Sequence, residues 1–172
     1  MDKIELFREL LNSFSEGAYQ VVRGEELSKT PKYPYIEMFV LNIVPDFHTQ
    51  SEEVIERITE DAETYLIQEN EKFEFATLQM NCRHKSNLEA QQLAHDLFIL
   101  INYTKNDELL NNEIGVRNMS MIRNLNYFEG GKYSYCYTFD VELSYSIVDR
   151  KKIEDIEKVR IKVKDEIIEE DA

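Results

Sequence analysis

From Tyr133 to Ile147 every second residue is apolar: Tyr133, Tyr135, Tyr137, Phe139, Val141, Leu143, Tyr145 and Ile147 alternate with a set that includes Ser134, Thr138, Asp140, Glu142 and Ser144. Successive strand side chains point to opposite sides, so the run specifies one long strand with a buried face and a wet face. At about 3.3 Å per residue it extends on the order of 50 Å, more than a small domain needs, which reads as a strand projecting toward a neighbouring subunit. Gly130 and Gly131, just before it, lie between two strand patterns as a hairpin turn does.

The rest of the chain supplies partners for that strand. Ile4, Phe7, Leu11, Phe14, Ala18 and Val21 recur at steps of three and four, predicting a first helix over residues 2–23 that Gly24 terminates. In YPYIEMFVLNIV, Ile36, Met38 and Val40 fall on one face and Phe39, Leu41 and Ile43 on the other, which predicts a strand inside a sheet. Residues 51–70 fit a helix through Val54, Ile58, Ala62 and Tyr65, or the start of a strand at Tyr65 and Ile67, with Asn70 in a turn. Ala76, Leu78, Met80 and Cys82 then mark a half-buried strand.

Ser86 and Glu89 have capping-box spacing before a second helix whose stripe is Ala90, Leu93, Leu97 and Ile101. The apolar run Leu97–Ile101 predicts that its end is covered on several sides. A polar loop over 106–112 and a strand over 114–125 follow. Near the end, Val159, Ile161 and Val163 alternate like a strand while Ile153, Ile156, Arg160 and Val163 suit a helix; the strand with a frayed end is preferred. The order predicts an α+β fold: a mostly antiparallel β-sheet with two main α-helices packed on one face and a long β-hairpin. One domain over 1–149 carries a charged C-terminal extension over 150–172.

Charge narrows the partners. With 34 acidic against 20 basic residues among 172, the formal net charge is -14. Such a field repels the phosphate backbone and anionic membrane surfaces, which argues against a nucleic-acid reader and against membrane association. MDKIELFRELL lacks the order of a signal peptide, and no apolar run approaches a membrane span, so the sequence reads as soluble and not exported.

Catalytic patterns are weak. His48, His84 and His95 share no metal-ligand spacing, and no metal or cofactor is expected. Cys82 and Cys136, each within a strand pattern, read as reduced core or strand residues in preference to a disulfide. The chain has no G-x-S-x-G elbow, P-loop or G-x-G-x-x-G, and no carboxylate pair stands out among 34. A binding or structural component is expected, with no catalytic residues.

Three segments carry a family resemblance: YPYIEMFVLNIVP, FEFATLQMNCRHKSNLEAQQLAHDLFILINY and IGVRNMSMIRNLNYFEGGKYSYCYTFDVELSYS. In this succession of strand, strand-into-helix and closing hairpin the chain resembles the neck or tail terminator proteins of long-tailed bacteriophages. The resemblance implies a homo-oligomer, a six-membered ring at the head-proximal end of the tail. That ring would cap the tail tube and join it to head connector or stopper proteins, while genomic DNA passes through without specific binding. The setting it implies is the neck of a virion assembled in the host cytoplasm.

In such a ring, Glu52, Glu53, Glu56, Glu60, Asp61 and Glu63 are candidates for an acidic lumen lining, with a solvated surface as the equal alternative. Cyclic assembly needs two different complementary patches, and the strand edge carrying Tyr133, Tyr135, Tyr137 and Phe139 is a candidate for one. Other readings stay open. A stopper or head-completion subunit would be told apart by the partner bound, a small acidic enzyme by a concave pocket with two carboxyls of opposed pKa shift, and an interaction module by its genomic neighbours.

Overall fold

The stripe Ile4, Phe7 and Leu11 does form a helix, α1 (Lys3–Phe14), capped by the Asp2 carboxylate, which accepts from Ile4 N at 3.0 Å. The computed structural model describes residues 2–26, 30–45, 52–60 and 63–153, with 52–60, 63–70 and 149–153 described through their backbone. Helix α1 ends earlier than its periodicity predicts, because Glu16 (φ 49°) and Gly17 (φ 85°) turn the chain through left-handed conformations. Val21, the last member of the stripe, is buried as part of a strand, β1 (Gln20–Arg23). Gly24 therefore ends no helix. A Cβ there would sit 2.2 Å from the Phe39 ring, so close approach of that ring is what requires glycine.

Strand β1 pairs in parallel with β2 (Tyr35–Pro45), and β2 pairs antiparallel with β4 (Glu63–His84). The outer edge of β1 is closed by a side chain. Asn12 Oδ1 accepts from Val21 N at 2.7 Å and Asn12 Nδ2 donates to Val21 O at 3.0 Å, a one-residue imitation of a neighbouring strand. Asn12→Ala strips both bonds and is expected to cost about 1–3 kcal/mol, read as a lower urea midpoint at unchanged slope. A change within error would mean that water replaces the amide fully.

Residues 52–60 form β3 (Glu52–Glu60), which pairs antiparallel with the first half of β4 and so settles the helix-or-strand ambiguity in favour of strand. Asn70 lies inside β4 opposite Glu53 and Asp149, not in a turn. The capping box is present at the start of α2 (Asn87–Ile99): Ser86 Oγ accepts from Glu89 N at 3.3 Å. Ala90, Ala94 and Leu97 are buried, and the two alanines let α2 sit close to the sheet. Its end is covered less completely than expected, since Ile99 is exposed. A π-helical turn, Leu100–Thr104, carries buried Ile101 and leads into a short helix, α3 (Asn106–Asn111), where a polar loop was expected.

The predicted strand over 114–125 is broken into β5 (Ile114–Met119) and β6 (Arg123–Asn124), followed by β7 (Tyr127–Glu129). Gly130 and Gly131, with φ of 57° and 80°, make the hairpin turn into β8 (Lys132–Ile153). The sheet order is β1-β2-β4-β8-β5, with β3 beside β4 and with β6 and β7 beside β8. All pairings except β1–β2 are antiparallel, which gives the α+β fold with both main helices on one face.

The core lies between that face and the helices. Ile36, Met38, Ala76, Leu78, Met80, Phe139, Val141 and Leu143 meet Phe7, Leu11, Ala90 and Leu97 there. A bulge at Leu41 shifts the register, so Ile43 stands opposite Ala76, on the same face as Ile36 and not on the opposite one. The face of β8 expected to be wet is only partly so, because Cys136 and Thr138 are buried. The 149/150 boundary between domain and extension falls within β8; Val159, Ile161 and Val163 lie outside the described residues.

Candidate assembly surfaces

Strands β4 and β8 outrun the core. Among the described residues it stops at Ala76 on β4 and Tyr145 on β8, and beyond it Phe73, Ile147 and Val148 are exposed. There β3, the first half of β4 and the second half of β8 continue as a three-stranded arm. Four of the six acidic residues expected to line a lumen, Glu52, Glu53, Glu56 and Glu60, lie on β3, and Glu63 opens β4; Asp61 and the side chains of all the others lie outside the described residues.

Alternation in a strand gives these positions a parity that a helix would not. Glu52, Glu56 and Glu60 share one parity and, through Glu60↔Glu63, share it with Glu63, while Glu53 has the other. Glutamates also hold directly opposed positions at Glu60↔Glu63 and Glu52↔Glu71, an arrangement that costs stability in a hairpin. Reasoning from sequence missed the far strand of this arm, where Asp149 is followed by Arg150, Lys151 and Lys152; a basic run in so acidic a chain was the available signal.

The opposite end of the sheet is aromatic. Tyr133 is 64% exposed and Phe128 62%, with ring centroids 4.9 Å apart, and Tyr133 stacks on Tyr135 at 6.0 Å. Tyr137 and Phe139, expected to join them in a subunit interface, belong to the core. Through most of Lys132–Tyr145 both edges of β8 are occupied, by β4 on one side and by β7, β6 and β5 on the other. Little free β8 backbone is therefore left along this stretch for strand addition, contrary to the expectation for this edge.

Away from the helices, Arg83 Nε donates to Glu37 Oε2 at 2.7 Å and Arg83 Nη1 to Ser134 Oγ at 3.1 Å. Burial opposes the guanidinium charge, but the bond to Glu37 and the charges of Cys136, Glu37 and Tyr35 together outweigh it and raise the Arg83 pKa. Burial, together with the Glu37 charge, pushes the Tyr35 phenol up to about 12. These groups brace β2, β4 and β8 against one another.

His95 is exposed on α2 and His84 Nδ1 lies 2.8 Å from Glu89 Oε2; His48 lies outside the described residues. Among the described residues no group of three or more His, Cys, Asp or Glu is placed to hold a metal ion. Cys82 and Cys136 are free and buried, and burial raises both thiol pKa values. Their register, Cys82↔Tyr137 and Arg83↔Cys136, puts the two thiols on opposite faces of the sheet. Among the described residues no helix is long and apolar enough to cross a membrane.

No curated protein matches the chain. A model of the phage neck terminator protein family matches residues 4–171, from the first turn of α1 to beyond the end of β8. Matched over nearly its whole length, the chain belongs to the family of phage neck terminator proteins, structural components of the virion that work among the head and tail proteins of the phage.

Proposed function

We propose that this protein forms a ring, six subunits around, that caps the tail tube and joins it to the head connector while the genome passes through its centre. The observation that carries the reading is the family match over residues 4–171. The acidity supports it: a net charge of -14 suits a lumen that repels phosphates and lets DNA slide, without holding it by ion pairs. Within the arm, Glu52, Glu56, Glu60 and Glu63, at positions of one parity, are the proposed lining, with Asp61 beside them in sequence. The exposed Tyr133, with the half-buried Tyr135 stacked on it, is proposed to contact a neighbouring subunit or tail protein. The role is structural and not enzymatic, and assembly takes place in the host cytoplasm. The C-terminal stretch over 150–172 is proposed as the extension of a domain over 1–149.

Negative-stain electron microscopy of the purified protein, alone and mixed with tail tubes, tests this. Rings with a central hole on one end of each tube are expected. Binding to head connectors but never to tubes would move the protein to the stopper position, and monomers that bind neither would sink the reading.

A further inference from the structure

The arm has two open edges. Among the described residues, β3 is paired only with β4, and beyond Tyr145 β8 is paired only with β4, so both outer rows of backbone N–H and C=O groups lack strand partners. Open edges of this length are a hazard, because any other strand can add to them. Elsewhere the fold blunts its edges: Asn12 occupies that of β1, and a bulge between Val116 and Asn118 interrupts β5. In the arm the described backbone pairs without a bulge, and what distinguishes its two edges in sequence is charge. Glu52–Glu60 holds four glutamates and one arginine, whereas Ser146–Ile153 holds Arg150, Lys151 and Lys152 against Asp149. Like edges repel and unlike edges attract.

We infer that the open edge of β8, over residues 146–153, pairs with the open edge of β3 in the next copy of this chain, joining the arms into one closed sheet. The inference rests on the ring reading and names the contact that closes it. Strand direction agrees. Both β3 and β8 run antiparallel to β4, so they run parallel to each other. Rotation about an axis along the strands preserves their direction, so each junction is a parallel pair, and repeating it around the axis leaves no edge open. A dimer about a two-fold axis across the strands would instead join β3 to β3 or β8 to β8, setting like charges together and leaving two edges unpaired.

The register shows which charges can be reversed without disturbing the arm itself. Arg150 stands opposite Glu69 and is left alone, whereas Lys151 and Lys152 stand opposite Gln68 and Ile67. Likewise Glu53 and Glu56 stand opposite Asn70 and Ile67. Two double variants follow, Lys151→Glu with Lys152→Glu, and Glu53→Lys with Glu56→Lys. Each alone is expected to weaken ring formation about tenfold or more, as judged by sedimentation and microscopy. An equal mixture is expected to restore rings, because every junction then joins an acidic edge to a basic one in alternation around an even-numbered ring.

Wild-type rings together with either variant assembling normally, or a mixture that does not recover, would overturn the edge pairing while leaving the ring in place. Failure of the wild type to form rings on tail tubes would overturn both. Should a variant fail to fold, carbodiimide coupling of wild-type rings made from mixed light and nitrogen-15-labelled chains gives the second measurement. Mixed-isotope peptides joining Lys151 or Lys152 to glutamates of β3 are expected, and mixed-isotope links made only elsewhere would refute the pairing.

Discussion

Replacing Phe139 with alanine is expected to remove about 3–5 kcal/mol of folding stability, the range for truncating a fully buried aromatic side chain. Phe139 is fully buried at the middle of β8, level with Met80 on β4 and Met38 on β2, and its ring meets Phe98 edge-on at 5.6 Å. The nearby α2 presents Ala90 and Ala94 to the core, side chains too short to refill the space. The cavity therefore persists. Urea unfolding followed by circular dichroism should show a much lower midpoint with little change in slope. A loss below about 1 kcal/mol would show that the helices repack over the sheet, contrary to the close packing described.

Arg83→Met is expected to cost about 3 kcal/mol, more than the bond to Glu37 contributes in net terms. The reason is what stays behind: Glu37 is only 9% exposed, and its carboxylate would lose its charged partner. Some water reaches the pair, since the side chains of Arg83 and Glu37 are 16% and 11% exposed, which holds the cost toward the low end of the range for buried pairs. The double replacement Arg83→Met with Glu37→Leu should recover most of the loss. A double variant as unstable as the sum of the two single ones would show that the residues act independently and that the pair does not brace the sheet.

These two sites differ in how far the sequence announces them. Phe139 sits in an uninterrupted alternation, and the local rule that places it in the core is sufficient because the middle of that strand, Tyr137 to Tyr145, is covered. Helix α1 marks the limit of such rules. The spacing from Phe14 to Val21 suits a helical stripe, yet Val21 is buried from a strand, and the left-handed pair Glu16 and Gly17 between them leaves little trace in hydrophobic periodicity.

Residues 51–70 were ambiguous for a different reason. Part of what fixes their second half as strand, such as the pairing of Glu69 with Arg150, lies far along the chain, where no local window reaches. The same non-locality hid half of the candidate assembly surface. The glutamates of β3 drew notice as a cluster, but the basic run at 150–152 gains meaning only when β4 sets the two strands on either side of it. Thr138 reads as solvent-facing by alternation, and nothing in the pattern of β8 itself anticipates that it is buried; Cys136, read as a core or strand residue, is buried on that same face.

The shared length of β4 and β8 has a mechanical consequence. From Leu66 to His84 every residue of β4 has a partner on β8, from Ile153 back to Tyr135, with no bulge along the way. Core and arm thus share two strands whose ladder runs unbroken from one into the other. A pull along the strand axis, such as a moving column of DNA would exert on its channel, loads these hydrogen bonds together in shear instead of opening them one after another from an end.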